Sequence, residues 1–324
     1  MADILNTRTQ IPAEVSQFYN RTLLERAKPL LVHDRFAQVE DLPANMGTRV
    51  MAFRRYTNLA AATTALTEGV TPTGSSLTST LITSTLSQYG DYVPVTDVVT
   101  YESQDRVLTV TAELLGDQAG LTIDTIIRDV LHAGTNIQYA NARTTRDTIA
   151  ASTDKLDATD IDNAVMTLKL ANARKVTSMV DPDTGYNTSP VRPCYIGICH
   201  PRITPILQGF TGWIDVEKYA NKADVMEGEV GKYGDTRFIE TTQAKVFTAG
   251  GAAGIDVYST LIIGMYAYAK TRLTGHELEN IVKPLGSGGT SDPLNQRATS
   301  GWKTWLAARI TNDAFMIRVE AAAA

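Results

Sequence analysis

The spacing of apolar and polar residues predicts a mixed α+β chain organised around one long helix. Between 105 and 133, Leu108, Ala112, Leu115, Ala119, Ile123, Ile126, Ile127, Val130 and Leu131 recur at steps of three and four residues, the period of one helical face. Gly134 follows as a terminating C′ residue would. Such a helix is roughly 43 Å long at 1.5 Å per residue. Gly116 and Gly120 stand four apart within it, each costing ~1 kcal/mol against alanine. Close approach of another backbone is their expected use, with simple tolerance as the alternative. A rougher stripe of Val15, Phe18, Tyr19, Leu23 and Leu24 predicts a helix over 14–28, ended by Pro29. A third helix is expected from an N-cap at Thr159 to about Lys175, with Asp160 and Asp162 complementing its dipole.

Alternation by twos marks the strands. Val50, Ala52 and Arg54 alternate with Met51 and Phe53, and a strand is expected around Tyr195–Ile198, halted by Pro201. Tyr258–Leu273 fits one or two strands, 285–292 (LGSGGTSD) reads as a loop, and Trp302–Ile310 and Phe315–Val319 flank a turn at Asn312-Asp313. The segment before these is unusual. From Gly69 to Gly90 no residue is charged, and eleven of the eighteen residues from Thr71 to Gln88 are Ser or Thr. Branched threonine suits strands, and Pro72 and Gly74 mark a turn, so a long hairpin is predicted. An isolated hairpin is marginal in water, and an edge without charge invites another chain. The hairpin is therefore either covered by its own fold or laid on a neighbour.

Composition narrows the class. The chain has 324 residues, 43% hydrophobic and 20% charged, with a formal charge of −5. This excludes disorder as the global state and a basic nucleic-acid binder, and two cysteines exclude a disulfide scaffold. The first twenty residues carry Asp3, Arg8 and Glu14 without an apolar core, unlike a signal peptide. The apolar run Tyr258–Ala269 is shorter than the ~20 residues of a membrane span. A soluble, cytoplasmically made protein with no membrane partner is expected.

The search for chemistry returns little. Cys194 and Cys199, five apart in a strand-like segment, face opposite sides and neither chelate together nor pair. His33, His132 and His276 are scattered, and Cys199-His200 is a lone pair. Gly231-Lys232 lacks the flanking residues of a phosphate loop, with Met226 and Tyr233 at its ends. Asp181, Asp183 and Gly185 miss calcium-loop spacing by one position. Asp154, Asp157, Asp160 and Asp162 surround a helix start. Arg49, Arg54 and Arg55, or Arg143 and Arg146, are read as a solvated face or as ion pairs across subunits rather than phosphate contacts. No enzyme, cofactor or metal site is expected.

Five blocks carry a family resemblance: LLERAKPLLVHDRF (Leu23–Phe36), LAAATTALTEGVTPTG (Leu59–Gly74), QYGDYVPVTDVV (Gln88–Val99), AELLGDQAGLTIDTIIRDVLHAGTNIQYA (Ala112–Ala140) and DPLNQRATSGWKTW (Asp292–Trp305). Together they resemble the major capsid proteins of N4-like tailed phages; 141–290 matches less distinctly. The resemblance implies an HK97-type capsid fold with an N-terminal arm over 1–45, an extended loop and flanking strands over 46–100, and a spine-helix peripheral domain over 101–155. An axial domain over 156–265 and return strands of the peripheral domain over 266–324 complete the plan. It further implies hexameric and pentameric capsomers in a closed shell and packaged double-stranded DNA held non-specifically, and it leaves room for separate portal and decoration proteins and for a scaffold that is either a separate chain or absent. The expected location is the virion, after assembly in the host cytoplasm. Expected intersubunit contacts are Leu23, Phe36, Arg54, Arg55, Thr71, Leu77, Leu81, Ile82, Leu86, Gly116 and Gly120. Some relatives cross-link their shells through an extended-loop lysine, but this chain has no lysine between Lys28 and Lys155. About 45 residues before the first strand region are also too few for a large fused scaffold. The rival readings are a nanocompartment shell of the same fold and, from another class, an intracellular enzyme.

Overall fold

Strands buried on both faces need cover on both sides, and that requirement organises this molecule. The computed structural model describes residues 32–44, 47–102, 107–180, 188–219, 225–276, 278–288 and 292–323. The helix expected over 14–28, and with it Leu23, lies outside the described residues. A nine-stranded sheet takes, in spatial order, β5 (Ile137–Tyr139), β16 (Met316–Ala322), β12 (Val257–Ile263), β7 (Thr188–Cys199), β10 (Thr236–Glu240), β9 (Glu229–Tyr233) and β8 (Ile214–Asp215). In addition β11 (Val246–Phe247) lies on β12 and β6 (Val176–Val180) on β7. Its central strand β12 is buried at every position. A five-stranded sheet runs β1 (Gln38–Leu42), β13 (Tyr268–Leu273), β15 (Arg297–Ile310) and β14 (Leu278–Lys283), with β4 (Ser87–Thr96) also paired to β15. A separate two-stranded ribbon joins β2 (Val50–Tyr56) to β3 (Ser79–Thr85).

The pleat divides the larger sheet's side chains between two cores. Cys194, Ile196, Ile198, Leu261 and Ile263 point to one face, where they meet Ile127 and Leu131 of α2 (Val107–Leu131). Tyr195, Cys199, Phe238, Ile262 and Ile317 point to the other. There they meet Ile161, Ala164 and Leu168 of α3 (Ala158–Leu170), and Leu207 of the short α4 (Thr204–Gln208). Cys194 and Cys199 thus lie in different cores, as their spacing predicts. Burial pushes the two thiols up to about 11 and about 12 respectively.

Helix α2 is about 37 Å long and joins the two sheets. Its C-terminal half lies on the larger sheet, whereas Leu115 and Ala119 pack on Trp302 of β15, flanked by Tyr89 and Val93 of β4. The indole Nε1–H of Trp302 donates to Gln118 Oε1 at 3.2 Å. Trp302→Ala removes a large buried side chain between helix and sheet, so a loss of about 3–5 kcal/mol is expected in urea unfolding. A loss under ~1 kcal/mol would mean the helix is held elsewhere. A shorter helix, α1 (Asp97–Glu102), follows β4.

Several expectations are corrected. Helix α3 is capped two residues earlier than Thr159, at Asp157: its carboxylate accepts the Ala158 N–H at 2.7 Å, and Asp160 accepts the Asp157 N–H at 3.3 Å. The helix stops at Leu170 rather than near Lys175, since Asn172 turns left-handed (φ 56°) and the Ala173 N–H closes onto Leu168 O at 2.9 Å. The run Tyr258–Leu273 forms two strands, as its pattern allows, and they lie in different sheets, β12 in one and β13 in the other. Gly264 lies at the crossing, where a Cβ would stand 3.0 Å from Arg174 O and 3.1 Å from Phe315 O. The two closing strands also part company: β15 belongs to the five-stranded sheet, but β16 enters the larger one between β5 and β12. The hairpin pairs β2 with β3 across residues 57–78, which hold no helix or strand, while β4 leaves it to pair with β15.

Candidate assembly surface

The β2–β3 ribbon has two unlike faces. Phe53 lies opposite Ile82 and Met51 opposite Ser84, and these four turn inward. Arg54 lies opposite Leu81, Ala52 opposite Thr83 and Val50 opposite Thr85, and these turn to solvent. Its root is anchored: the Leu86 N–H donates to Arg49 O at 2.9 Å, and Leu86 packs with Leu42 and Ala307. Arg55 reaches back to the turn between β15 and β16, donating to Asn312 Oδ1 at 2.8 Å.

Beyond the root every residue of 57–81 is exposed, although all but Glu68 are apolar or uncharged polar. Leu66, Leu77 and Leu81 are 78%, 71% and 59% exposed, joined by Leu59 and Val70. Glu68 is the only charge between Tyr56 and Asp91. Scattered exposed leucines are ordinary; a contiguous uncharged stretch of them marks a surface that another molecule covers. A second open surface lies on the five-stranded sheet. A cleft of about 840 Å³ runs over β4, β15 and β14, with Tyr92, Ile281, Lys283, Trp302 and Lys303 among its walls.

Of the expected contact residues, Arg54, Thr71, Leu77 and Leu81 lie on the exposed surface and Ile82 at its half-buried edge. Two are corrected. Phe36 is 7% exposed within the core under α2, and Leu86 is 2% exposed at the ribbon's root, so both serve the chain's own packing. Gly116 is exposed with nothing within 4 Å of a Cβ built there, so no backbone among the described residues makes the expected close approach to it; Gly120 is half-buried.

The charged clusters prove to be internal braces, which corrects the reading of Arg143 and Arg146 as solvated or intersubunit. Arg143 Nε donates to Asp154 Oδ2 at 2.9 Å. Arg146 holds Glu320 through Nε and Nη2 at 2.6 and 2.8 Å, and its guanidinium stacks 3.4 Å over Phe247. Burial alone would raise the Asp154 carboxyl, but the Ala150 N–H, Asn141 and Arg143 outweigh it and hold it at about 2. His132 rests between Arg128 O (2.8 Å) and Ser259 Oγ (3.0 Å). Burial, followed by the nearby His33, Arg318 and Arg128 charges, lowers its ring to about 3 against the opposing bond to Arg128. The unfolded chain therefore takes up more protons between pH 6.5 and 3, so His132's contribution is full above 6.5 and fades as pH falls. Stability is expected to drop by about 2 kcal/mol from pH 7 to pH 5, read as a urea midpoint. A midpoint unchanged over that range would contradict a neutral folded ring; Asp154 contributes only below 3.8. Among the described residues no group of three or more His, Cys, Asp or Glu is placed to hold a metal ion, and no helix is long and apolar enough to cross a membrane.

Neither a protein-family model nor a curated protein matches the chain. Solved structures do. The capsid of Ralstonia phage GP4 matches with a TM-score of 0.72 at 13% identity, covering 92% of this chain and 90% of that one. The fold is that of tailed-phage capsids. The capsid of cyanophage P-SCSP1u follows with a TM-score of 0.64 at 13% identity, over 92% and 90% of the two chains. The head of Helicobacter pylori bacteriophage KHP40 reaches 0.63 at 12% identity over 98% and 97%. Mixed sheets, few helices and a long spine helix follow the HK97-type plan that the resemblance implies.

Proposed function

We propose that the chain is the major capsid protein of a tailed phage of the N4-like group. It assembles into hexamers and pentamers that close as an icosahedral shell around double-stranded DNA. The observation that carries this reading is the exposed, nearly chargeless stretch 57–81 on a chain with the capsid fold. Such a stretch is stable in water only when covered, and a second copy of the chain is the cover the fold offers. We place the ribbon tip of one subunit over the cleft on the five-stranded sheet of the next, where Lys283 and Lys303 suit the lone Glu68. A contact between two different surfaces repeats head to tail and closes into rings. Many modest contacts of this kind then act together.

The chain divides into an arm (1–45), an extended loop with flanking strands (46–100), a peripheral domain on the spine helix (101–155 and 266–324) and an axial domain (156–265). To the axial domain we add β5 and β16, which complete its sheet. A net charge of −5 suits a container that holds DNA without adhering to it. Assembly takes place in a host cytoplasm, with a separate scaffold protein or with none and with room for separate portal and decoration proteins, and the finished protein resides in the virion.

Negative-stain microscopy of the gradient-purified chain tests the reading. Closed shells or capsomer rings are expected; uniform monomers that stay so after addition of the phage's own lysate would contradict it. The shells are further expected to dissolve to single 35.2 kDa chains on boiling in SDS, because the extended loop offers no lysine for a cross-link. A covalent ladder would refute that.

A further inference from the structure

The ribbon of β2 and β3 meets the rest of the chain along a line. Met51, Phe53 and Arg55 follow one another at steps of two on one face. Met51 packs at the root beside Leu42, Leu86, Ala307 and Trp305. Arg55 stands about 13 Å further out along the strand, and its Nη1 donates to Asn312 Oδ1 at 2.8 Å. Phe53 is half-buried between the two. The ribbon therefore lies along the second half of β15, from Ala307 to the turn that follows Ile310. The stretch 57–78 leaves just beyond Arg55.

That turn is bolted from several sides. The Thr311 and Asn312 N–H groups donate to Ala267 O at 3.0 and 3.1 Å, and Thr311 Oγ1 donates to Tyr266 O at 2.7 Å, where the chain crosses from β12 to β13. Asp313 Oδ2 accepts the Thr135 N–H at 3.0 Å, just past the C-terminal end of α2. The Phe315 N–H closes the turn onto Asn312 O at 3.1 Å. Asn312 is thus a fixed point between the two sheets and the spine helix, and Arg55 fastens the ribbon to it across 257 positions of sequence. Two supports fix a line, whereas the root alone would leave a pivot. The lever is long. Half of the stretch 57–78, about eleven residues, reaches at most about 36 Å, so a swing of about 10° at the root moves the tip by about 6 Å. That exceeds the ~4 Å at which apolar side chains touch.

We infer that Arg55 is the positioning residue of the ribbon. Through Asn312 it sets the direction in which 57–78 leaves the body, and with it the angle between one subunit and the next. Its neighbour Arg54 turns to the opposite face, beside Leu81. A single exposed hydrogen bond adds little to the folding equilibrium, so losing it changes the direction of the ribbon and leaves the fold intact. The consequence for the shell rests on the capsid reading; the direction of the ribbon does not.

Distances between spin labels on the dissociated chain test the direction. Leu81→Cys and Leu170→Cys place labels on the ribbon and on α3 at exposed positions, while Cys194 and Cys199 stay buried and unlabelled. Electron double resonance is expected to give one narrow distance in this labelled chain and a distribution at least twice as wide after Arg55→Ala. Arg55→Lys with Asn312→Asp rebuilds the tie as an ion pair and is expected to restore the narrow distance, with the urea midpoint unchanged throughout. Without the labels, Arg55→Ala is expected to at least double the spread of shell diameters, and the paired change to restore it. An unchanged distance distribution in Arg55→Ala would overturn the inference, whatever the shells do. So would a distribution that stays broad in the paired variant, or shells of parent diameter from a chain whose ribbon swings. If the parent forms no shells while Arg55→Ala still broadens the distance, the positioning role stands and the capsid reading falls.

Discussion

Replacing Leu77 and Leu81 together by glutamate is expected to abolish shells while leaving the isolated chain within about 0.5 kcal/mol of its parent stability. Both side chains are mostly exposed, 71% and 59%, so the chain's own fold loses almost nothing. Their burial on a neighbour is worth ~1.5–3 kcal/mol each. Removing two weakens each contact by roughly a hundredfold to ten-thousandfold at tenfold per 1.4 kcal/mol. Burying two carboxylates without partners adds a further cost. Since every subunit repeats the contact, the loss multiplies around each ring and across the shell. Gradient sedimentation and microscopy read the result. Parent-like yields of closed shells from Leu77→Glu/Leu81→Glu would remove the ribbon from the assembly interface.

The second large effect is internal. Glu320 is fully buried on β16 and holds Arg146 by two hydrogen bonds and Arg318 Nε at 2.7 Å. The aromatic ring of Phe247 lies 3.4 Å from the Arg146 guanidinium centre and 5.6 Å from that of Arg318. Glu320→Ala leaves the buried Arg318 guanidinium and the partly exposed Arg146 facing each other without their shared carboxylate, and breaking a buried pair on one side costs about 3–5 kcal/mol. Glu320→Gln keeps the shape and part of the hydrogen bonding, so it should fall between alanine and the parent. Urea unfolding orders the three chains. An alanine variant within ~1 kcal/mol of the parent would show that water or a shifted side chain replaces the carboxylate.

What the sequence discloses and what it hides follow from what a period encodes. Steps of three and four in α2, and of two in β7, encode which face a residue takes. The spine helix, the opposed cysteines and the strand-forming ends were therefore readable. A period does not name the partner. Phe315–Val319 alternates equally well in either sheet, and only packing assigns β16 to the larger one. Leu86 and Leu77 look alike in a Thr/Ser-rich run, yet one plugs the ribbon's root and the other stands in water. The bond from Leu86 N to Arg49 O, which makes that difference, joins two strands that the pattern of 69–90 alone does not pair. The Arg146–Glu320 brace spans 174 positions, a distance at which charge patterning carries no signal. The absence of charge over 69–90 is itself a sequence property and marks the segment, but it does not separate exposed Leu77 and Leu81 from buried Leu86.

Hydrogen–deuterium exchange across 57–78, compared between assembled shells and the same chain dissociated, tests the central claim most directly. Among the described residues this stretch has a backbone bond from Thr57 N–H to Thr78 O and short turn bonds at Thr63 and Val70, so its amides should exchange rapidly in the free chain. Laid on a neighbour they are expected to slow at least tenfold, while the buried amides of β12 exchange alike in both states. Equal rapid exchange across 57–78 in shell and free chain would contradict a ribbon covered by a second copy.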